Sequence, residues 1–220
     1  MTSTLITGAN RGIGLEMTRQ LSARGDTLIA ACRRASPELE RLGVEVIEGV
    51  DVGSDESVAA LVKSLSGRRL DRLVNNAGIL QRTALDNLDW GAMVRQFEVN
   101  SIGPLRVTAA LRGNLAEGSK VFIVTSRMGS IEDNTSGGSY GYRMSKAAVN
   151  MAGRSLAHDL KDAGVGVAIL HPGFVRTEMT GHQGLVDAPE SAAGIIARID
   201  ELTLETSGGF WHANGERLPW

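Results

Sequence analysis

The chain has little of what marks secreted, membrane-bound or nucleic-acid-binding proteins. It carries one cysteine, Cys32, in 220 residues, which excludes an internal disulfide, and its 4 histidines are not spaced as metal ligands. No apolar run approaches the roughly 18 residues that cross a bilayer, and no signal-peptide pattern precedes the first predicted strand. Lys and Arg number 23 against 25 Asp and Glu, so no basic surplus points to nucleic acid or to a membrane surface. These absences favour a cytoplasmic protein that is stabilised by packing and binds no metal.

What the chain does have is an alternation of short apolar segments with longer helical patterns. The predicted strands are residues 2–7, 27–32, 44–48, 70–75, 120–125, 165–170 and 208–212. The predicted helices are residues 12–24, 37–42, 55–65, 90–111, 140–163 and 191–201. The alternation predicts one α/β domain over residues 1–220, a Rossmann-type doubly wound parallel sheet of about seven strands with helices on both faces. Residues 130–141 and 173–189 are predicted loops, and ligands of such sheets bind at the carboxyl ends of the strands.

A glycine-rich motif, TGANRGIG at residues 7–14, lies between the first predicted strand and the first predicted helix. Glycines in such a turn let the backbone bend and approach a pyrophosphate, which the N–H groups and the positive dipole end of the helix attract. The motif therefore predicts a dinucleotide site, and the alternative is a turn made only for close packing. The predicted cofactor contacts are Gly8, Asn10, Arg11, Gly12, Ile13 and Gly14.

The end of the second predicted strand, about 20 residues further on, should meet the adenosine ribose of a dinucleotide. An NAD site places Asp or Glu there, whereas this chain has Cys32 followed by Arg33 and Arg34. A guanidinium forms charge-assisted hydrogen bonds to the extra phosphate of NADP, each worth about 1.5–3 kcal/mol. Cys32 and Arg33 are thus predicted NADP(H) contacts. The alternative for the two arginines is a solvated strand end.

Tyr142 and Lys146 are the catalytic candidates, because residues four apart on a helix share a face and lie about 6 Å apart. A free tyrosine has a pKa of about 10, too high for ready proton exchange near neutral pH. A cation about 4 Å from the phenol contributes about 4 kcal/mol at an effective dielectric of about 20, which lowers the phenol pKa by up to about three units before desolvation. We therefore expect a proton donor tuned by the lysine. The alternative is a chance pair on a solvated helix face.

Taken in order, these motifs resemble those of the short-chain dehydrogenase/reductase family, from Thr7 to Trp220. The segments VTSRMGS at 124–130 and YRMSK at 142–146 are similar to those of the C-factor-like and sniffer-like carbonyl reductases within that family. The resemblance implies that Ser126 binds the substrate oxygen and that Asn100 holds a water behind the lysine. With Tyr142 and Lys146, these two residues complete an implied catalytic tetrad.

The resemblance also implies which other residues contact the cofactor. Arg11 matches a second basic position of the NADP-preferring members, and the resemblance implies that Tyr142 and Lys146 contact the nicotinamide half of the cofactor. The remaining implied contacts are Asp51, Val52, Asn76, Ala77, Gly78, Pro172, Gly173, Val175 and Thr177. The implied reaction is hydride transfer between NADP(H) and a carbonyl or alcohol substrate, with Tyr142 as general acid and base.

Several expectations concern the substrate and the alternatives. Ser126 and Tyr142 are 16 positions apart, a few more than the family's usual gap, which predicts an unusual substrate mouth. A small apolar lid is expected from Phe174, Met179, Leu185 and Val186.

A C-factor-like NAD(P)-binding signalling protein, with incidental turnover, is the alternative function. An epimerase or dehydratase would need a carboxyl-terminal substrate domain, for which no segment is left. Relatives that pair through the helices at 90–111 and 140–163 imply a homodimer or homotetramer, and the alternative is a monomer, as some carbonyl reductases are.

Overall fold

The computed structural model describes residues 1–220, and the chain alternates strands and helices throughout. The elements are β1 (Ser3–Thr7), α1 (Gly12–Ala23), β2 (Thr27–Ala31), α2 (Pro37–Glu40), β3 (Glu45–Ile47), α3 (Asp55–Leu65), β4 (Arg72–Asn75), α4 (Trp90–Phe97), α5 (Gly103–Ala110), β5 (Lys120–Val124), α6 (Tyr140–Asp159), β6 (Gly166–His171), β7 (Val175–Arg176), β8 (Val186–Asp187), α7 (Ala188–Glu201) and β9 (Gly209–His212). A π-helical turn covers Glu98–Ile102, and short 3₁₀ helices cover Arg112–Asn114, Arg127–Gly129 and Glu178–Thr180.

The main sheet has seven parallel strands in the order β3-β2-β1-β4-β5-β6-β9. The order reverses at β1, where Ile6 lies between Ala30 of β2 and Val74 of β4. Connections on the two sides of this point leave in opposite directions, so a crevice opens at the carboxyl ends of the strands. The topology confirms the predicted doubly wound α/β fold.

Apolar side chains cover both faces of the sheet, because successive strand residues point to opposite sides. In β1, Leu5 packs in a core layer with side chains of α3, α5 and α6, whereas Ile6 packs in a second layer with those of α1 and α7. Phe122 of β5 is fully buried in the second layer. Each large aliphatic side chain buried in this way stabilises the fold by about 1.5–3 kcal/mol. The two layers therefore hold rigid the sheet edge from which the loops emerge.

Local sequence explains where the helices begin. The Ser54 hydroxyl accepts a hydrogen bond from the Ser57 N–H at 3.2 Å at the start of α3, and the Asp89 carboxylate accepts one from the Ala92 N–H at 2.9 Å at the start of α4. Each cap satisfies an N–H group that has no partner within the helix. Helix α1 differs, since its N-cap residue, Arg11, makes no side-chain cap. Its first N–H groups are therefore available to a ligand.

Some elements differ from their predicted bounds. The predicted helix at 90–111 is interrupted by the π-helical turn, and α6 ends at Asp159 instead of continuing to 163. The predicted loop at 173–189 contains the β7–β8 pair, in which Val175 lies opposite Val186. Strands of two residues have no detectable sequence period, so this pair could not be predicted. Helix α7 begins at Ala188 because Pro189 suits the first turn. None of the helices combines the length and the apolar character that a bilayer crossing needs.

Candidate functional site

A cavity of about 790 Å³ lies along the carboxyl ends of the strands, where the sheet order reverses. Most of the predicted site residues line it: Gly8, Asn10, Arg11, Gly12, Ile13, Gly14, Cys32, Arg33, Asp51, Val52, Asn76, Ala77, Gly78, Tyr142, Lys146, Pro172 and Thr177. The predicted residues Asn100, Ser126, Gly173 and Val175 lie outside its lining. The cavity therefore brings the glycine motif and the Tyr142–Lys146 pair into one space.

The glycine loop is shaped for close approach of backbone to a ligand. Gly8 and Gly12 have φ of +67° and +54°, values that L side chains rarely adopt. A Cβ at Gly14 would collide with the Gly8 carbonyl oxygen and with the Asn76 amide. Asn76 donates from Nδ2 to the carbonyl oxygens of Thr7 at 3.0 Å and Gly8 at 3.1 Å, which fixes the loop against the segment after β4. Together with the uncapped α1, this cradle fits a dinucleotide pyrophosphate.

The residues after β2 form a cationic end of the cavity. Cys32 is buried, whereas Arg33 and Arg34 are exposed and line the cavity beside it. The Asn10 amide donates to the Arg34 carbonyl oxygen at 3.0 Å, which ties this end to the glycine loop. Arg11 instead pairs with Glu178 at 2.7 Å across the cavity mouth. The guanidinium expected as the second phosphate contact is thus bound to a carboxylate in this structure.

Asp51 lies at the same end and is held by an arginine that the sequence did not point to. Arg95 of α4 donates to the Asp51 carboxylate at 2.7 Å, and the Gly53 N–H donates to it at 2.8 Å. Burial alone raises the pKa of Asp51, but the Gly53 N–H, the Arg95 guanidinium and the charge of Arg33 together hold it below its usual value. Asp51 is therefore ionised at neutral pH. Arg95 is 44 positions away in the chain, so no local pattern could have revealed the pair.

Tyr142 and Lys146 lie one turn apart in the first part of α6 and are both removed from water, with 9% and 4% of their surface exposed. The Lys146 Nζ lies 5.7 Å from the centroid of the tyrosine ring and donates to the Val124 carbonyl oxygen at 3.0 Å. Ser126 follows β5, and its hydroxyl accepts from the Met128 N–H at 3.1 Å. The Ser126 hydroxyl lies near enough to the Tyr142 phenol to act on its pKa. The structure thus groups the three predicted catalytic side chains at the carboxyl end of β5.

Burial controls the protonation of this cluster. It raises the pKa of Tyr142 to about 12, although the nearby Ser126 hydroxyl acts in the opposite direction. It lowers the pKa of Lys146 to about 8. The net lowering of the phenol pKa expected from the lysine is not found in this structure, because burial raises this pKa and the Lys146 charge is not among the causes that shift it. Near neutral pH the phenol is protonated.

Asn100 lies beneath the cluster and not on the cavity wall. Its Nδ2 donates to the Ile79 carbonyl oxygen at 2.9 Å and to the Ser145 hydroxyl at 3.0 Å, and its Oδ1 accepts from the Ile79 N–H at 2.8 Å. A Cβ at Gly78 would lie 3.3 Å from Asn100 Oδ1 and 3.7 Å from Lys146 Nζ, so the three residues adjoin. Asn100 lies in the π-helical turn and thus connects this turn to the loop after β4, through Ile79, and to α6, through Ser145 next to Lys146.

The loop after β6 closes the other side of the cavity. Pro172 and Thr177 line it, as predicted, together with Met179 and His182. Gly173 has φ of +91° and packs against Val186, and Val175 is buried in β7. Neither residue lines the cavity, and Val175 instead pairs with Val186 of β8. Of the expected lid residues, Met179 reaches the cavity.

Sequence reasoning missed several residues that line the cavity. They are Leu15, Glu16, Arg34, Val50, Ile79, Arg95, Val99, Val124, Thr125, Arg176, Glu178, His182 and Ala188. Arg34 could have been found, since it follows Arg33 directly. Most of the others reach the cavity through tertiary packing, for which a single sequence carries no signal.

The whole chain is similar to characterised proteins. A family model described as short chain dehydrogenase matches residues 2–185. The 1-hydroxy-2-glutathionyl-2-methyl-3-butene dehydrogenase of Rhodococcus sp. (strain AD45) is 47% identical over 226 residues, which cover 100% of both chains. The C-signal protein of Myxococcus xanthus is 47% identical over 154 residues, which cover 69% of this chain and 93% of that protein.

Solved structures show the same architecture over the full length. The carbonyl reductase Sniffer of D. melanogaster has a TM-score of 0.93 at 30% identity, with 100% of both chains covered. The NADPH-bound carbonyl reductase from chicken fatty liver has a TM-score of 0.91 at 29% identity and covers 100% of this chain and 99% of that one. A carbonyl reductase from Pseudomonas aeruginosa PAO1 in complex with NADP has a TM-score of 0.88 at 33% identity, with 100% of both chains covered.

Proposed function

Because the chain belongs to the short-chain dehydrogenase family, we propose that it is an NADP(H)-dependent reductase of aldehydes or ketones with Tyr142 as the proton donor. The observation that carries the proposal is the buried pair of Tyr142 and Lys146, which lines the same cavity as the glycine loop. In this proposal one domain, residues 1–220, holds both the cofactor and the catalytic residues. Several of the similar proteins are named as dehydrogenases or carbonyl reductases.

Several features of the cavity support NADP(H) as the cofactor. The glycine loop and the uncapped start of α1 offer N–H groups to a pyrophosphate. Arg33 and Arg34 would bind a phosphate on the adenosine ribose, and Cys32 places no carboxylate there to repel it. When bound, such a cofactor supplies or accepts the hydride. Two of the similar carbonyl reductases are described with NADPH or NADP bound.

The catalytic roles follow from protonation. The hydroxyls of Ser126 and Tyr142 would bind the substrate oxygen, and Tyr142 would give up its proton as negative charge develops on that oxygen. With a pKa of about 12 the phenol holds this proton at neutral pH, and with a pKa of about 8 Lys146 is mostly charged there. The ammonium would stabilise the phenolate left after the transfer, and their burial strengthens this attraction.

The same protonation states favour reduction of a carbonyl over oxidation of an alcohol. Oxidation requires the Tyr142 phenolate to accept the hydroxyl proton, and that form is scarce well below pH 12. Reduction requires the protonated phenol, which is the form that burial stabilises. We therefore expect reduction to be the faster direction at neutral pH.

The test is oxidation of NADPH in the presence of aldehydes, ketones, diones and quinones, with NADH in parallel. We expect at least a tenfold preference for NADPH, equal to about 1.4 kcal/mol. Arg33→Met should reduce this preference, whereas Arg112→Met, which removes an exposed arginine distant from the cavity lining, should preserve it. A preference for NADH would refute the cofactor assignment. Failure to reduce any carbonyl would refute the activity.

One relative suggests a substrate to include in the panel. The Rhodococcus dehydrogenase is named for an alcohol that carries a glutathionyl group, and it matches this chain from end to end. We propose an alcohol or carbonyl compound of this kind as a second candidate substrate. Its turnover, compared with that of the same compound without the glutathionyl group, tests whether the mouth of the cavity binds the tripeptide.

A signalling role is the alternative function, and the C-signal relative is the finding that bears on it. The buried Tyr142–Lys146 pair favours the enzyme, because burying two ionisable groups costs stability that nucleotide binding alone does not require. The proposal therefore keeps catalysis as the primary role.

We also propose that the chain self-associates as a homodimer or homotetramer through one apolar face. The face consists of the exposed side chains Trp90 and Val94 of α4, Phe97 at its end, Ile102 of the π-helical turn and Leu105 of α5. Their spacing places them along one side of the helical segment from 90 to 110. Exposed Met144 and Met151 lie on the adjoining helix α6. Contiguous apolar surface of this sort is typical of subunit contacts.

A further inference from the structure

The loop at residues 127–139 connects Ser126 to helix α6, and its Met128 N–H donates to the Ser126 hydroxyl at 3.1 Å. Beyond the 3₁₀ turn at Arg127–Gly129, it contains no regular secondary structure. Gly137, Gly138 and Ser139 all have positive φ, with values of 62°, 66° and 47°. A loop with few backbone hydrogen bonds of its own depends on side chains to hold its shape.

Arg143, the residue after Tyr142, binds this loop at both of its limbs. Its Nε donates to the Gly137 carbonyl oxygen at 3.1 Å and its Nη2 to the Ser136 hydroxyl at 2.8 Å. Its Nη1 donates to the Met128 carbonyl oxygen at 3.4 Å. Met128 lies at the start of the loop, two residues after Ser126, whereas Ser136 and Gly137 lie near its end. The planar guanidinium thus spans the loop and ties it to α6.

Other contacts hold the loop at single points. Arg127 forms an ion pair with Asp133, and the Ile131 N–H donates to the Trp220 carbonyl oxygen. The Ser139 N–H donates to the Thr83 carbonyl oxygen at 2.7 Å. None of these contacts joins the Met128 limb to the limb at 136–137. Arg143 makes that connection with hydrogen bonds to uncharged acceptors.

We propose that Arg143 is a positioning residue that holds the 127–139 loop in place beside the Ser126–Tyr142 pair and thereby sets which sizes of carbonyl substrate the site accepts. This inference rests on the proposed reductase function. Because Arg143 acts through the loop, its loss should slow turnover and relax discrimination between substrates, without weakening the binding of NADPH at the glycine loop. A misplacement of about 1 Å at a reacting group can slow a reaction by about a hundredfold.

The experiment compares the wild type with Arg143→Met, Arg143→Lys and the control Arg112→Met. For each protein, kcat and KM are measured with NADPH for a small aliphatic aldehyde and for a bulky aromatic ketone. We expect Arg143→Met to lower kcat by about tenfold or more and to change the ratio of kcat/KM values for the two substrates by at least about fivefold. Arg143→Lys, which can donate to one limb only, should recover part of the loss. The Kd of NADPH should stay within about twofold of the wild-type value.

Hydrogen exchange of the backbone amides at 127–139 gives a readout that needs no turnover. It should be faster in Arg143→Met than in the wild type and unchanged in the control. Unchanged exchange, or an unchanged substrate ratio in a folded Arg143→Met protein, would overturn the positioning role. A parallel loss of NADPH affinity would do so as well, since it would indicate general loosening. A wild type that reduces neither substrate refutes the proposed function separately, and the exchange measurement still decides whether Arg143 holds the loop.

Discussion

Tyr142 and Lys146 are both removed from water, and burial acts on them in opposite senses. For the phenol it favours the neutral form that carries a proton, and for the amine it favours the neutral form that has lost one. The site therefore holds a proton donor that is ready near neutral pH and a cation that is easily discharged. Both properties can be measured one residue at a time.

The first residue-scale prediction concerns Tyr142→Phe. The substitution removes the proton donor and keeps the ring, so kcat for carbonyl reduction should fall by about 10²–10⁴-fold while NADPH still binds. Stopped-flow turnover and a fluorescence titration with NADPH measure the two effects. If a biological effect of the protein outlives this loss of turnover, the signalling alternative is correct.

The second prediction concerns Lys146→Met and the dependence of stability on pH. The pKa of Lys146 is lowered from 10.5 to about 8 on folding, so between these values the unfolded chain binds a proton that the folded chain has released. Stability of the wild type therefore rises with pH across this window, and the charged amine costs up to about 3 kcal/mol below it. Lys146→Met should be about 1–3 kcal/mol more stable than the wild type at pH 7, with the gain fading towards pH 10.5, and should be inactive.

Urea denaturation at several pH values measures this difference. Lys161→Met is a suitable control, because that lysine is exposed and its replacement should leave the pH dependence unchanged. Equal stability of Lys146→Met and the wild type at pH 7 would show that the buried amine carries no such cost.

The residue types at the site could be predicted from the sequence, but their protonation could not. The four-residue spacing of Tyr142 and Lys146 indicates that they share a helix face, whereas the effect of burial on their pKa values depends on the packing of β5 and α6 around them. The ion pair between Arg11 and Glu178 could not be predicted either, because it joins segments far apart in the chain. Long-range ion pairs leave no pattern in a single sequence.

At the scale of elements, the main difference between the predicted and the observed helices is the π-helical turn at Glu98–Ile102. The pattern over residues 90–111 predicts one helix, whereas the structure has α4 starting at Trp90 and α5 ending at Ala110, with the π-helical turn between them. The extra residue of the turn is stabilised by Asn100, whose partners Ile79 and Ser145 belong to other elements. Local sequence therefore predicts the helix, and tertiary hydrogen bonds explain the turn.

The element-scale prediction is that Asn100→Ala destabilises the fold by about 2–4 kcal/mol. The substitution removes three hydrogen bonds and leaves buried partners unsatisfied. Asn87→Ala, at an exposed position, is the matched control and should change stability by no more than about 0.5 kcal/mol. The free energy of unfolding in urea measures both. An Asn100→Ala protein as stable as the wild type would mean that the turn persists without the asparagine.

At the scale of the whole molecule, the apolar face along α4 and α5 leads to the last prediction. We expect the wild type to sediment as a multiple of the 23.3 kDa chain and Val94→Glu/Phe97→Glu to sediment as the single chain, because charges buried between subunits are costly. Leu204→Glu, which adds a charge at an exposed site outside this face, is the control. Sedimentation of the wild type as a single chain at micromolar concentration would contradict the proposal.

The order of strands along the chain has a further consequence for how the protein is made. All six residues of β6 are buried, and one edge of that strand is covered by β9, which is translated after helix α7. During synthesis, the peptide N–H and C=O groups on this edge of β6 therefore stay unpaired until Gly209–His212 has left the ribosome. If translation stalled before β9 was made, the nascent chain would expose the unpaired, apolar edge of β6. Chaperones bind such surfaces, which also drive aggregation.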